Sequence, residues 1–278
     1  MRLFWLAFFA IWPVAALVLL AVAPSLDWWF PSTQPPGAIG QQIDHLFYVI
    51  GGITLGIFVL TFAGLGYALW TGSARPDGEK GHYVHGNHKL EVLWTVIPLG
   101  ILIFIAVYQA PAWAGLKIQS AFPEGVDVQR PIAEVQARQF EWRIRYPGLD
   151  PATGRPLPLE DQPQPTDVWT VDDLHIPHGR PVLIRLKSQD IQHSFYLPEL
   201  RIKQDAVPGL NIPVLIDTAQ PGEHVLMCAE LCGWGHSKMN ARLVAEESDE
   251  AWLEWMRGLQ AEQREDGVAV AAAAASER

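Results

Sequence analysis

The run Cys228-Ala229-Glu230-Leu231-Cys232-Gly233-Trp234-Gly235-His236-Ser237-Lys238-Met239 holds two thiols, an imidazole and a thioether within twelve positions, spaced Cys-x3-Cys-x3-His-x2-Met. Soft sulfur donors combined with imidazole select copper among biological metals, and a long, weak thioether is a common axial ligand of electron-transfer copper. A mononuclear site of that type needs one cysteine, two histidines and a methionine, so here the second thiolate is surplus. Two thiolates on one loop can each bridge two metals, and such a pair needs a second terminal imidazole from elsewhere in the chain. His193, in Asp190-Ile191-Gln192-His193-Ser194-Phe195, is the best candidate, because it follows a strand-like stretch and β-sandwiches bring loops together at one end. Met239 and a backbone oxygen near Glu230 would complete the two coordination spheres. With no position left open, the site should move electrons instead of binding substrate. The competing chemistry for two cysteines four apart outside the cytoplasm is a disulfide or a pair of buried thiols.

The elements that must hold this run are strands. Phe140, Trp142, Ile144 and Tyr146 alternate with Glu141, Arg143 and Arg145, which is the period of a half-buried strand with its polar face outward. Val182, Ile184 and Leu186 repeat the pattern, as do Met239, Ala241 and Leu243 against Asn240 and Arg242. The punctuators Pro147-Gly148, Pro177-His178-Gly179, Pro208-Gly209 and Pro221-Gly222 separate them at spacings that suit an all-β Greek-key sandwich or barrel. The six prolines between Pro147 and Pro165 mark a surface loop. Trp252 to Gln263 reads as a short amphipathic helix, and the Ala-rich end after Gly267 as a frayed tail.

Upstream, the composition is that of a membrane anchor: 49% of the 278 residues are hydrophobic, only 18% are charged, and twelve are Trp. Three stretches carry no Asp, Glu, Lys or Arg: Leu3 to Leu26, His45 to Ala74 and Val92 to Leu116. Each is long enough to span the ~30 Å hydrocarbon layer. The first also fits a signal peptide, with Arg2 ahead of an apolar run and the small-x-small ending Ala21-Val22-Ala23. Under either reading the residues after Leu116 end outside. Arg75, Lys80 and Lys89 fall in the loop assigned inside, whereas Pro24 to Asp44 holds no Lys or Arg. The expected organisation is therefore residues 1–23 as signal peptide or additional span and 24–44 as an extracytoplasmic segment. A helical hairpin follows over 45–113, with spans at about 45–70 and 92–113, then a β domain over 114–247 and a short helix with tail over 248–278.

A net charge of -10 disfavours nucleic acid as a partner, and two cysteines exclude a disulfide-dense scaffold or a four-cysteine zinc site. After Trp113 there are sixteen Lys and Arg against twenty-five Asp and Glu, a balance of -9 that would steer a basic partner at low salt. His82, His85 and His88 share a hydrophilic loop and read as solvated, not as a metal site.

Taken together, the Cys228 to Met239 run, His193-Ser194-Phe195, Lys203-Gln204-Asp205-Ala206-Val207-Pro208-Gly209 and Leu90-Glu91-Val92-Leu93-Trp94-Thr95-Val96-Ile97-Pro98 resemble subunit II of the haem-copper cytochrome c oxidases. The resemblance covers roughly Asp44 to Ala245 and keeps the motif order. It implies an N-terminal membrane hairpin followed by a cupredoxin-like Greek-key β-sandwich with a binuclear copper-A centre. Its ligands would be His193, Cys228, the Glu230 carbonyl oxygen, Cys232, His236 and Met239. The Glu230 carboxylate would bind a magnesium ion at the border with subunit I, and Glu91 would stand at the entrance of a proton channel into that subunit. Where many members carry Gln-Trp-x-Trp, this chain has Gln139-Phe140-Glu141-Trp142, so Phe140 and Trp142 are the candidates for electron uptake, and Asp190 resembles an acidic position near the docking face.

The resemblance further implies a bacterial plasma-membrane protein whose copper domain faces the periplasm. It would take electrons from a separate c-type cytochrome, since the chain has no Cys-x-x-Cys-His, and pass them to haem in subunit I of a proton-translocating complex, with subunit III as a further partner, that reduces oxygen to water. Rival readings are a reductase of nitrogen oxides using the same copper module, a membrane-tethered copper carrier, and a quinol-oxidase subunit II, which lacks the ligands.

Overall fold

The structure of the chain is a computed structural model that describes residues 2–26, 28, 36–73, 83 and 85–265. Arg75, Lys80, His82 and the Ala-rich tail lie outside the described residues. The chain divides into two compact units, Met1–Ser32 with Asp44–Ala112, and Thr33–Ile43 with Trp113–Arg278.

The first unit is helical. Helix α1 covers Arg2–Val22, α2 covers Ala38–Ser73 and α3 covers His88–Lys117. Among the described residues, three helices are long and apolar enough to cross a membrane, Ala7–Leu26, Ala38–Gly72 and His88–Lys117. No residue of α3 is buried, so its apolar side chains face outward all round, as suits lipid or other protein. Local polar groups are satisfied within the helices. The side-chain oxygen of Asn87 accepts the backbone N–H groups of Lys89 (3.1 Å) and Leu90 (3.2 Å), capping the start of α3. The Thr54 and Thr61 hydroxyls of α2 donate to the carbonyls of Ile50 and Ile57 one turn back, which hides them from an apolar surrounding. Both helices outrun the stretches expected to span. At ~1.5 Å per residue, the 36-residue α2 is about 54 Å long, well beyond the hydrocarbon layer. Its first turns, with Gln41, Gln42 and Asp44, occupy part of the 24–44 segment expected to be extracytoplasmic. Charge-free length marks the part of a helix that fits the membrane, not where the helix ends.

The second unit is built on ten strands: β1 Ala133–Arg138, β2 Glu141–Tyr146, β3 Val168–Val171, β4 Asp173–Pro177, β5 Val182–Ser188, β6 His193–Leu197, β7 Ile202–Ala206, β8 Ile212–Ile216, β9 Gly222–Cys228 and β10 Asn240–Glu246. They form two five-stranded sheets ordered β3-β2-β1-β5-β8 and β4-β10-β9-β6-β7. Most neighbours are antiparallel, whereas β1 with β5 and β10 with β4 are parallel. This is the Greek-key sandwich expected from the alternating runs. Trp142, Ile144, Tyr146, Leu174, Ile184, Leu186, Phe195 and Leu243 form its core. Helix α4, Asp249–Glu265, is longer than the expected 252–263 and buries Trp252 and Met256 against the sandwich. Its Trp255 stacks flat on His175 of β4, ring centres 4.0 Å apart.

Two expectations about β2 need correction. Phe140 is not part of the strand: it lies in the turn that joins β1 to β2, half-buried and packed against the edge of the core. Arg145, expected on the outer polar face, is fully buried. The proline-rich segment folds back over it, with the Glu160 carbonyl accepting from Nη2 at 2.8 Å and Asp167 from Nη1 at 2.8 Å. On the other side it meets Glu134, 3.1 Å away and itself 1% exposed. Period two assigns a side chain to a face; it does not say what covers that face.

Candidate metal centre

Strand register brings the sulfur and imidazole groups together. In the β6–β9 pair Phe195 lies opposite Cys228, the last residue of β9. His193, two residues away on the same side of β6, therefore extends past the end of β9 beside that cysteine. The β9–β10 loop returns from there: Cys228 N–H donates to the Met239 carbonyl (3.1 Å), and Ala229 N–H to the Ser194 carbonyl (2.9 Å). A short 3-10 turn over His236–Lys238 then carries Met239 inward, where it is fully buried.

The resulting cluster has a compact geometry. The Cys228 and Cys232 sulfurs are 3.8 Å apart, and both cysteines are free and buried. Cys228 Sγ is 3.8 Å from His193 Nδ1 and 3.2 Å from the Glu230 carbonyl oxygen. Cys232 Sγ is 3.6 Å from His236 Nδ1 and 3.9 Å from Met239 Sδ. One ligand atom each of His193, Cys228 and Cys232 lies within 4.8 Å of the other two. All six residues singled out in the sequence converge here. The free sulfurs answer the disulfide reading, since a disulfide requires ~2.05 Å between them. Two thiols, two imidazole nitrogens, a thioether and a carbonyl form a donor set that fits a soft, borderline cation such as copper.

The electrostatics favour ligation. Burial would raise the Cys228 thiol, but its contact with His193 and the backbone at Ser194 and Glu230 outweigh it and bring it down to about 6. Cys232 goes the other way, pushed up to about 11 by burial and by the charge of Cys228. His193 loses basicity through burial and regains more from Cys228 and Asp190, so its pKa is raised. At neutral pH Cys228 is thus mainly the thiolate and Cys232 the thiol. Cation binding must displace the proton on Cys232.

The partner of His193 was not singled out as such from the sequence. The Asp190 carboxylate accepts from His193 Nε2 at 2.8 Å, from Ile191 N–H at 2.6 Å and from Gln139 N–H at 2.7 Å. A carboxylate on Nε2 fixes the tautomer and leaves Nδ1 to face the sulfurs. The signal was legible in principle, as an acid three residues before a ligand histidine. Gln139 ties the site from another side, its Nε2 donating to the Cys232 carbonyl at 2.5 Å. Trp142 is wholly buried, its ring edge-on to Phe195 at 5.7 Å and 6.4 Å from His193, so it forms the floor of the site and does not reach the surface. The Glu230 side chain is exposed. Far along the chain, Glu91 lies in the first turn of α3, 3.7 Å from His88 Nδ1. His85 and His88 are exposed.

Sandwich, membrane helices and cluster together define a membrane-anchored cupredoxin-like protein with a buried thiol–imidazole site. Family models described as "Cytochrome C oxidase subunit II, transmembrane domain" and "Cytochrome C oxidase subunit II, periplasmic domain" match residues 30–111 and 159–246. The chain is 32% identical over 262 residues to the alternative cytochrome c oxidase subunit 2 of Bradyrhizobium diazoefficiens, covering 86% of this chain and 90% of that one. It is 28% identical over 252 residues to cytochrome c oxidase subunit 2 of Cereibacter sphaeroides, covering 82% and 79%. Among solved structures, the periplasmic domain of subunit II of cytochrome oxidase of Bradyrhizobium japonicum matches with a TM-score of 0.37 and 23% identity, over 47% of this chain and 93% of that one. The chain belongs to the cytochrome c oxidase subunit II family, with N-terminal membrane helices and a periplasmic cupredoxin-like β-sandwich domain.

Proposed function

We propose that this chain is the electron-accepting subunit of a respiratory oxidase, taking electrons one at a time from a separate c-type cytochrome and passing them to haem in subunit I, where oxygen becomes water. The observation that carries the reading is the convergence of both cysteine sulfurs with His193, His236, Met239 and the Glu230 carbonyl. Those six residues would hold a binuclear copper-A centre. When bound, that centre supplies a one-electron relay whose charge is spread over two metals and two sulfurs.

The chain's own residues set the conditions for such a relay. Asp190 orients His193 and Gln139 ties down the cysteine loop, so the donor atoms are held before any metal arrives. Burial of Cys228, Cys232, His193 and Met239 keeps water away and limits rearrangement when charge changes. The exposed Glu230 carboxylate, whose own carbonyl faces Cys228, is assigned to a magnesium ion shared with subunit I. Glu91, at the start of α3, is assigned to proton uptake into subunit I, and subunit III is the further partner expected within the membrane. A carrier of copper would favour an open ligand position, whereas six convergent donors favour a retained metal.

The test is turnover of the intact complex. Cys228→Ser and Cys232→Ser should each abolish oxidation of reduced cytochrome c with the complex still assembled. A serine variant that keeps full turnover would overturn the reading.

A further inference from the structure

Trp234 is 85% exposed, the most exposed of the large apolar side chains described in the sandwich unit. It sits inside the cysteine loop, two residues after Cys232 and two before His236. Single exposed apolar residues are ordinary, but a solvent-facing indole on a fixed loop is not. The loop is fixed on both sides of it. His236 N–H donates to the Gly233 carbonyl (3.1 Å) and Lys238 N–H to the Gly235 carbonyl (2.9 Å).

The glycines on either side show what the loop rests on. A Cβ on Gly235 would come 2.4 Å from the Phe140 ring, and one on Gly233 would come 3.0 Å from it. Backbone therefore lies directly against Phe140, which only glycine permits, and Gly233 also adopts a positive φ of 130°. The Trp234 ring meets Phe140 edge-on, ring centres 5.1 Å apart. Phe140 thus works as a half-buried base that supports the loop, and Trp234 is the aromatic group presented to solvent. Leu231, 78% exposed, adds apolar surface three residues earlier.

We propose that Trp234, and not Phe140, is the contact through which the donor docks and hands over its electron. The proposal rests on the electron-transfer reading above. The occupant is a small c-type cytochrome with a lysine-rich surface, which fits the -9 balance of the residues after Trp113. Trp at the centre of a desolvated contact is the commonest kind of interface anchor. In the transfer, the donor's ferrous haem loses one electron and the copper pair gains it. The covalent path from Trp234 runs through one glycine to Cys232 and through one glycine to His236.

The test compares Trp234→Ala, Trp234→Phe, Phe140→Leu and Val171→Ala in the intact complex, with a soluble lysine-rich cytochrome c as probe. Two quantities are read: the Kd for oxidised cytochrome c and the second-order rate of oxidation of the reduced form. Trp234→Ala should weaken binding and slow the reaction by on the order of 30-fold, the size of a truncated anchor, with the copper spectrum unchanged. Trp234→Phe should lose less, and Val171→Ala, at a 53% exposed position on β3, should match the wild type. The proposal is overturned if Trp234→Ala binds and reacts like wild type, or if Phe140→Leu alone carries the loss. If the wild-type complex holds no copper pair, or neither binds nor oxidises the probe, it is the underlying electron-transfer reading that fails.

Discussion

Two buried polar clusters in the sandwich unit are assembled on opposite principles. Around Arg145 the charges answer one another: Glu134 is met by Arg145 (3.1 Å), Lys187 (2.8 Å) and Arg185 (3.4 Å), and Arg145 in turn by Asp167 (2.8 Å) and the loop carbonyls. That cluster is complete within the chain and pins the proline-rich segment to the sheet. Around the cysteines, the converging atoms are sulfurs, ring nitrogens and a carbonyl oxygen, and they share an appetite for a cation. The first arrangement is what stability requires. The second is tolerated because function uses it.

The largest expected effect falls on the second cluster. Replacing Cys228 or Cys232 by serine removes one of the two sulfurs proposed to hold the metals jointly and should eliminate copper binding, read as metal per chain, while unfolding of the domain shifts little. The converse holds at the first cluster. Glu134→Gln removes the charge shared by Arg145, Lys187 and Arg185, leaving Arg145 with Asp167 as its acidic partner, and should cost about 3 kcal/mol in denaturant unfolding, with the copper spectrum of the folded protein unaltered. The same variant should change the acid limb of stability. Burial tends to raise the Glu134 carboxyl, but Arg145, Lys187 and Gln136 more than offset it, so its folded-state pKa lies below the ordinary carboxylate value. Its contribution is therefore full above that ordinary value and is lost as pH falls through the lowered one. Glu134→Gln should flatten stability over that window.

An intermediate effect is expected where a charge serves the metal site from outside. Asp190→Asn keeps the shape but weakens the hold on His193, and should lower copper affinity by about 10–100-fold in a competition titration. The smallest sharpens the contrast between buried and exposed pairs. Arg180 and Asp249 form a well-aligned pair at 2.8 Å, but their side chains are 44% and 46% exposed. Arg180→Ala should shift stability by less than ~1 kcal/mol, a loss that high salt erases.

The two clusters also differ in how far sequence reveals them. Every proposed copper ligand was legible, because Cys-x3-Cys-x3-His-x2-Met is rare and its chemistry is local to one loop, with only His193 arriving from another strand. The sandwich was legible from alternation and punctuators, and the spans from the absence of charge. The Arg145 cluster was not. Its members come from β1, β2, β5 and the proline-rich loop, and alternation alone placed Arg145 toward water. Phe140 was hidden for a related reason, since its spacing matched the core face although it lies in the turn before β2. The ends of α2 escaped because helices continue past the membrane through polar residues such as Gln41 and Gln42. The tie between Asp190 and Gln139 crosses two loops, a contact that no local period encodes.

The central claim is that the two cysteines hold two metals jointly, and electron paramagnetic resonance of the purified, copper-loaded chain tests it most directly. One unpaired electron shared equally by two copper nuclei of spin 3/2 gives seven hyperfine lines. The account predicts that pattern together with two coppers per chain. Four lines with a single copper would contradict it, as would a chain that holds no copper while Cys228 and Cys232 remain reduced.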